Sequence, residues 1–476
     1  MIILDKTSGI VISRKKFEEN QWYDDIKRKL TRHSKEYQRS TFITNHYFLE
    51  GPNVLKIPRF FPIEEYIKDF KINENIPDGL DININHNIQL RDDLQKTIVD
   101  YMLTHNNGII QANPGSGKTV ISVYVCAELK KKTFILVHRD SLVQQWIGPG
   151  EQDKKQGFLG YTDIDKNEIG RLSSNNFKEV LSKSIIICTD QTFTSILKSK
   201  REEFLIELNK AKIGIFIADE VHTTVGAPTF AECSIHIPAK IVFGLSATPY
   251  RWDGNGDIIE YHLGKVYVPE GKSSTMDARV TVLLTNFGIL PKSYYYLYYG
   301  GFFQKSRYLT ILKKSKLFIS ICKALINKFC KEDKQIIFMA ERIKLLELLY
   351  KDFKSIDKGM FVGSAKLDQT KPQLTFSTPG KCRDGVDLVE KDCLIMTSPI
   401  SNIEQMCGRV LRIKEGKSQP IIIDIVDIGV KEIRQTLFNR INFYKKKNWG
   451  INYLFISDDG KKMLLDETKV IEILKE

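Results

Sequence analysis

The chain has 476 residues, 42% of them hydrophobic, too many for one ordinary domain and enough for two or three sizeable cores. No run of about 18 apolar residues is present, so no membrane span is expected. Lysine and arginine number 71 against 58 aspartates and glutamates, a formal net charge of +13, which favours a polyanionic partner, nucleic acid before a membrane surface. Eight cysteines form no CxxC pair and read as buried thiols of a reducing compartment, not a zinc site or a disulfide frame.

Residues 1–85 come first. The start has a short apolar patch but neither a basic n-region nor a small-residue cleavage site, so no signal peptide is expected. Strand-like pieces (GIVIS, STFITNHYFL, NVLKI) flank a polar segment. Within 26–39 lie six cations, Lys27, Arg28, Lys29, Arg32, Lys35 and Arg39, against one glutamate. That stretch reads equally as a basic face for phosphates or as a solvated helix face. Pro58 and Pro62 stiffen a connection, and the polar, turn-rich 72–87 suits a domain boundary.

The segment from Gln89 opens a helix, with Ile98, Tyr101 and Met102 at helical spacing. The apolar Ile109 and Ile110 then lead into Ala112-Asn113-Pro114-Gly115-Ser116-Gly117-Lys118-Thr119, followed by a helical pattern. Strand, glycine-rich turn and helix in that order make a phosphate-binding loop. Its backbone N–H groups turn toward a phosphate, and the helix N-terminus adds positive charge. Lys118 reaches the β/γ-phosphates and the Thr119 hydroxyl holds Mg²⁺. The cofactors expected are therefore ATP and Mg²⁺.

Four further strands follow, each ending in polar residues, the end at which parallel α/β sheets carry function. The first, 133–137, ends in His138 and Arg139, and the second, 184–188, in Thr189 and Gln191. Both endings suit a nucleic-acid backbone. The third, 213–217, runs into Asp219, Glu220 and His222. Asp219 is expected to hold Mg²⁺ through water, Glu220 to accept the proton of the attacking water, and His222 to report nucleotide state. The fourth, 239–245, ends in Ser246, Ala247 and Thr248, small residues suited to coupling, with Arg251 just beyond on the nucleic-acid side.

Residues 255–315 break the pattern with an aromatic run, SYYYLYYGGFF, followed by Lys305, Arg307, Lys313, Lys314 and Lys316. Its rings either stack bases or pack a connecting strand. A second α/β series starts near 316 without a second phosphate loop. It contains Gln405, Arg409 and Arg412. Arg409 and Arg412, three apart, share a helix face and can act as fingers on developing phosphate charge. The tail 434–449 interleaves cations with aromatics, to lie along nucleic acid or to pack as an amphipathic helix.

Taken together, ANPGSGKT, HRDSLVQQW, TDQT, DEVH, SAT, IIFMAERIKLLELL, RDGVDL and QMCGRVLR resemble, in order and spacing, motifs I to VI of the superfamily 2 helicases over about residues 88–445. TPYRWDG, SPISN and DIVD are similar to the branch holding XPB and the viral and phage enzymes, the UvsW-like branch-migration helicases among them. The resemblance implies an α/β fold: two tandem RecA-like domains, parallel sheets flanked by helices, with a small α+β N-terminal accessory domain. The expected divisions are 1–85 accessory and DNA-binding, 86–265 the ATP-binding domain, 266–315 a linker, and 316–476 the second RecA-like domain. Arg91 and Gln95 stand where the family reads adenine, though the signature is one residue longer here and lacks its aromatic. Gly385 and Asp387 of motif V and Gln405 of motif VI join the nucleotide site by the same resemblance. The function implied is a 3′→5′ DNA helicase or translocase on forks and junctions, in replication, recombination or repair. An RNA-directed or transcription-associated ATPase is the alternative. The partner is single-stranded, double-stranded and branched DNA, or RNA, with no membrane. The protein is expected as a monomer in the cytoplasm of a bacterium or an infected cell. Removal of residues 1–85 is expected to spare the ATP site, since the main catalytic positions lie beyond it.

Overall fold

The computed structural model describes every residue except 1, 14–21, 36–41, 52, 53, 69, 114, 149–155, 222–227, 248, 250–255, 271–275, 288–295, 384–387, 398, 399, 401, 402, 411–415, 458, 459 and 476. At 2, 3, 13, 33–35, 42, 43, 228–230, 383, 404, 405, 409 and 475 it describes the backbone alone. The chain forms two compact units, Met1–Ser273 and Ser274–Glu476.

The first unit is built on seven parallel strands in the order Ile169–Arg171, Ile185–Thr189, Thr133–Val137, Ile215–Asp219, Ile241–Ser246, Asn107–Gln111 and Val266–Tyr267. Thr133–Val137, Ile185–Thr189 and Ile215–Asp219 are buried at every position. Strands covered on both faces read as continuous apolar runs, and the two faces separate by alternation. Phe134, Leu136, Ile186, Cys188, Phe216 and Ala218 enter one core, and Ile135, Val137, Ile185, Ile187, Ile215 and Ile217 the other. Helices including Asp93–Thr104, Lys118–Leu129, Asp140–Ile147, Asp190–Lys210 and Gly256–Leu263 flank the sheet.

Residues 1–85 contribute a five-stranded sheet, a helix at Trp22–Lys29 and a hairpin pairing Thr31–Lys35 with Phe42–His46. The expected α+β character is present, with one addition. Phe70–Glu74 runs parallel to Ile2–Lys6 and closes that sheet, so the polar 72–87 begins inside a strand. The N-terminal core also includes Ala231 and Ile258 from the ATP-binding part. Buried Arg59 donates to the carbonyls of Ile237 and Ala239, and Phe60 N–H to Tyr261 O at 2.8 Å.

The second unit holds eight strands in the order Lys358–Phe361, Leu374–Ser377, Ile336–Met339, Cys393–Met396, Ile421–Asp427, Arg279–Thr285, Gly450–Ile456 and Lys462–Leu465. All neighbours are parallel except the last pair. Arg279–Thr285 pairs on both sides inside this sheet, so the stretch 266–315 is not a linker. Val266–Tyr267 completes the first sheet, and 279–285 belongs to the second. Two valines and two leucines in Arg279–Thr285 (RVTVLLT) explain its central place, since it buries Val280, Val282, Leu283 and Leu284. Two strands and a helix after 449 also lay beyond the motif-based reading.

Candidate active site

The register brings three strand ends together. Asp219 pairs with Leu245, Leu245 with Ile110, and Ser246 with Gln111. The phosphate loop, the Asp219–Glu220 pair and Ser246–Ala247 therefore sit side by side at the carboxyl ends of adjacent parallel strands, where α/β sheets bind ligands. Ala112 N–H donates to Ser246 O at 3.0 Å and ties the loop to its neighbour.

The loop's form follows from its residues. Gly115 and Gly117 have φ of +85° and +86°, a region side chains disfavour. A Cβ on Gly117 would also stand 2.4 Å from Gln95 Nε2. Lys118 opens the helix Lys118–Leu129, and its Nζ donates to Ala112 O at 2.9 Å and Asn113 O at 3.4 Å. The buried Ser116 Oγ has no hydrogen-bond partner among the described residues. A positive helix end, an unmatched hydroxyl and an ammonium resting on two carbonyls together suit a polyphosphate.

Gln95 is buried and engaged at both ends of its amide. Its Oε1 accepts from Arg91 N–H at 2.8 Å, and its Nε2 donates to Ser116 O at 2.9 Å. In this arrangement it braces the loop. The guanidinium of Arg91 lies alongside, bonded to Asp92 at 3.0 Å and 3.5 Å from Gly115 O.

Asp219 is the last residue of its strand and buried. Burial, then the charge of Glu220, pushes its carboxyl up to about 7, while the Trp146 indole and Lys118 pull the other way. Trp146 Nε1 donates to Asp219 Oδ2 at 2.9 Å. Glu220 follows with a φ of +52°, a conformation unusual outside glycine and found at functional sites. Gln145 Nε2 donates to Thr119 Oγ1 at 3.3 Å. Gln145 and Trp146, neighbours on one helix, thus orient the two residues expected at the metal. Neither was assigned a role from the sequence. The signal available was a polar residue beside a tryptophan in a helix directly following a strand end.

Other positions separate. His138 and Arg139 follow Thr133–Val137, with Arg139 exposed at the start of the next helix. The Thr189 hydroxyl caps the helix Asp190–Lys210, accepting from Thr192 N–H at 3.2 Å, and Gln191 is exposed on its first turn. The N-terminal cations meet carboxylates: Lys27 pairs with Glu50 at 2.8 Å, Arg28 with Asp25, and Arg32 and Lys29 with Asp257 at 2.8 and 3.9 Å. In the second unit Gln405 and Arg409 lie on the helix Glu404–Val410. Pro114, His222, Thr248, Arg251, Gly385, Asp387 and Arg412 lie outside the described residues.

Comparison with known proteins agrees with this geometry. A family model described as "Type III restriction enzyme, res subunit" matches residues 84–251, the stretch carrying the loop and the acidic pair. An ATP-dependent RNA helicase (so named) of Acanthamoeba polyphaga mimivirus is 25% identical over 77% of this chain and 69% of its own length. The XPB helicase/translocase subunit of the general transcription and DNA repair factor IIH of Encephalitozoon cuniculi is 24% identical over 87% of this chain. The match spans 59% of that protein's length. Among solved structures, an ATP-dependent type ISP restriction-modification enzyme bound to DNA superposes with a TM-score of 0.52. It is 15% identical over 82% of this chain and 32% of that one, a likeness of fold. With the motifs in order, two largely parallel sheets present and these matches, the chain is similar to the superfamily 2 helicases, and the helicase relatives support a nucleic-acid-dependent ATPase.

Proposed function

We propose that the protein is a DNA-dependent ATPase that moves 3′→5′ along a strand and remodels forks and junctions, in recombination, repair or replication. The observation that carries the reading is the phosphate loop set one strand away from a buried Asp219 and a strained Glu220, all at the carboxyl ends of one parallel sheet. Bound ATP supplies the scissile phosphoanhydride, and Mg²⁺ neutralises its charge. Lys118 exchanges its two carbonyl partners for phosphate oxygens. Thr119 and Asp219 hold the metal, each oriented by the helix bearing Gln145 and Trp146. Glu220 takes the proton of the attacking water. Arg409, Arg412 and Gln405 are the proposed second-unit residues of the reaction, with Gly385 and Asp387 at the nucleotide. His222, Ser246, Ala247 and Thr248 couple hydrolysis to strand movement, and His138, Arg139, Gln191 and Arg251 lie along the nucleic acid. Monomeric action is part of the proposal.

The net charge of +13 supports a polyanionic track, and the name of the XPB relative supports DNA. The mimivirus relative, named as an RNA helicase, favours a second reading in which the strand is RNA. Turnover and unwinding, measured on matched single-strand, duplex, fork and four-way-junction substrates in both DNA and RNA, separate these. Greatest activity on branched DNA supports the proposal. Stimulation by RNA alone transfers it to the second reading.

A further inference from the structure

Residues 296–303 form a structure that the ATPase does not use. Tyr298–Tyr299 and Phe302–Phe303 pair antiparallel, Tyr298 opposite Phe303 and Tyr299 opposite Phe302. Gly300 and Gly301 join them with φ of +58° and +82°, and no atom lies within 4 Å of the place where a Cβ on either would stand. The hairpin tip is therefore clear of the rest of its unit. The strand period of two then divides the four rings. Tyr298 and Phe303 pack on the second unit's core, and the Tyr298 hydroxyl donates to Glu432 at 2.7 and 2.8 Å. Tyr299 and Phe302, on the opposite face, are 71% and 56% exposed, and the nearby Tyr296 is 51% exposed.

This exposed aromatic surface is held in place. The Arg307 guanidinium sits 4.9 Å from the Tyr296 ring centre and 5.4 Å from that of Tyr299. It also donates to the carbonyls of Tyr296 and Tyr298 at 3.0 and 3.3 Å. Lys314, exposed, and Lys313 lie in the turn after the helix Lys305–Leu312, and Lys316, also exposed, opens the next helix, Lys316–Lys331. Among the described residues none of these three lysines forms an ion pair. Exposed rings held by a guanidinium, followed along the chain by lysines without an ion pair among the described residues, fit a ligand with alternating planar bases and phosphates. Rings stack any base, and cations meet the backbone. A duplex keeps its bases stacked on one another and offers such rings little.

We propose that Tyr299 and Phe302 form a base-stacking platform for single-stranded nucleic acid, with Tyr296 and Arg307 as its backing and Lys313, Lys314 and Lys316 on its phosphate side. This rests on the nucleic-acid reading above, and its test is chosen to fail separately. Full-length wild type and a Tyr299→Ala/Phe302→Ala variant are titrated against a fluorescent mixed-sequence single strand and a blunt duplex of equal length. Thermal melting is run alongside, and a Tyr299→Trp/Phe302→Trp variant serves as rescue. The platform predicts a roughly tenfold or larger loss of single-strand affinity on alanine substitution, under threefold for the duplex, and recovery with tryptophan. Unchanged single-strand affinity, or equal loss on both ligands, overturns it and leaves the ATPase reading standing. Loss of self-association without loss of strand binding also overturns it, assigning the rings to a second copy of the chain. Wild type that binds neither ligand refutes the nucleic-acid reading itself.

Discussion

Arg440 looked from its neighbours like one more cation of a basic tail, and it is among the most buried side chains of the molecule, 1% exposed. Its Nε donates to the equally buried Asp424 at 2.7 Å, its Nη1 to Ile400 O at 2.8 Å, and the Tyr444 hydroxyl also donates to Asp424 at 3.0 Å. Removing one partner of such a pair strands the other charge, at a cost of about 3–5 kcal/mol. Arg440→Ala should therefore lower unfolding stability by that amount, whereas Arg440→Met with Asp424→Leu should recover most of it. Denaturant titrations of the three variants decide the matter, and a double variant as unstable as the single one would count against the pair. Asp427, nearby, behaves differently. Burial pushes its carboxyl up to about 6, against the N–H groups of Gly429 and Phe287 and the Tyr308 hydroxyl. A raised carboxyl pKa means that the folded state holds the proton more firmly than the unfolded chain. That contribution is full below about pH 4 and is lost as pH rises through about 6. Above that, ionised Asp427 costs on the order of 2–3 kcal/mol. Asp427→Asn keeps acceptors for the two N–H groups and should raise Tm at pH 8 while changing little near pH 4. An equal shift at both pH values would mean that the effect is packing, not charge.

At the scale of elements, Gln95 gives the sharpest prediction. Its amide links Arg91 N–H to Ser116 O, so Gln95→Ala should loosen the phosphate loop and weaken ATP and GTP alike, by about tenfold, the worth of one or two hydrogen bonds. Nucleotide titration by fluorescence decides, since a loss confined to ATP would make Gln95 a reader of adenine instead. The loop itself was legible in the sequence because strand, glycines, lysine, hydroxyl and helix form a local pattern with one physical use. The strands around it were legible because continuous apolar runs have few other places in a fold. What was not legible depended on distant partners. Trp146 meets Asp219 and Gln145 meets Thr119 only after the sheet has assembled. The apolar run Val280–Leu284 reads as a strand in the sequence, but its place in the second sheet was not legible, because it follows a break in the α/β pattern and pairs with residues about 140 and 170 positions later. Alternation in SYYYLYYGGFF is compatible with stacking or packing, and the hairpin packs one face and leaves the other exposed. In the helix Lys431–Lys446, periodicity left two orientations open. Tyr444 is buried and stacks on Trp449 at 6.1 Å, while Phe443 meets Trp449 edge-on at 5.3 Å, so the aromatics pack inward.

For the whole molecule, the N-terminal 85 residues illustrate how a boundary drawn from composition can fall where packing continues. They share a core with Ala231 and Ile258, and buried Arg59 satisfies two carbonyls of the ATP-binding part. Deleting them would expose Ile258 and leave those carbonyls without their donors. The truncated protein should be insoluble or lose several kcal/mol of stability, contrary to the expectation that the ATP site survives the cut. Soluble yield and nucleotide affinity of the truncation measure this, and a stable, ATP-hydrolysing product would restore the separate-module view. Among the described residues no helix is long and apolar enough to cross a membrane. The first unit's site is proposed to hydrolyse ATP in response to nucleic acid. The most direct test is steady-state ATP turnover of wild type and Glu220→Gln, with and without single-stranded DNA, alongside nucleotide binding. Wild type should show turnover stimulated by DNA, and Glu220→Gln near-normal nucleotide binding with turnover lower by roughly 10²–10⁴. Full turnover in Glu220→Gln, or wild-type turnover indifferent to every nucleic acid, would contradict it.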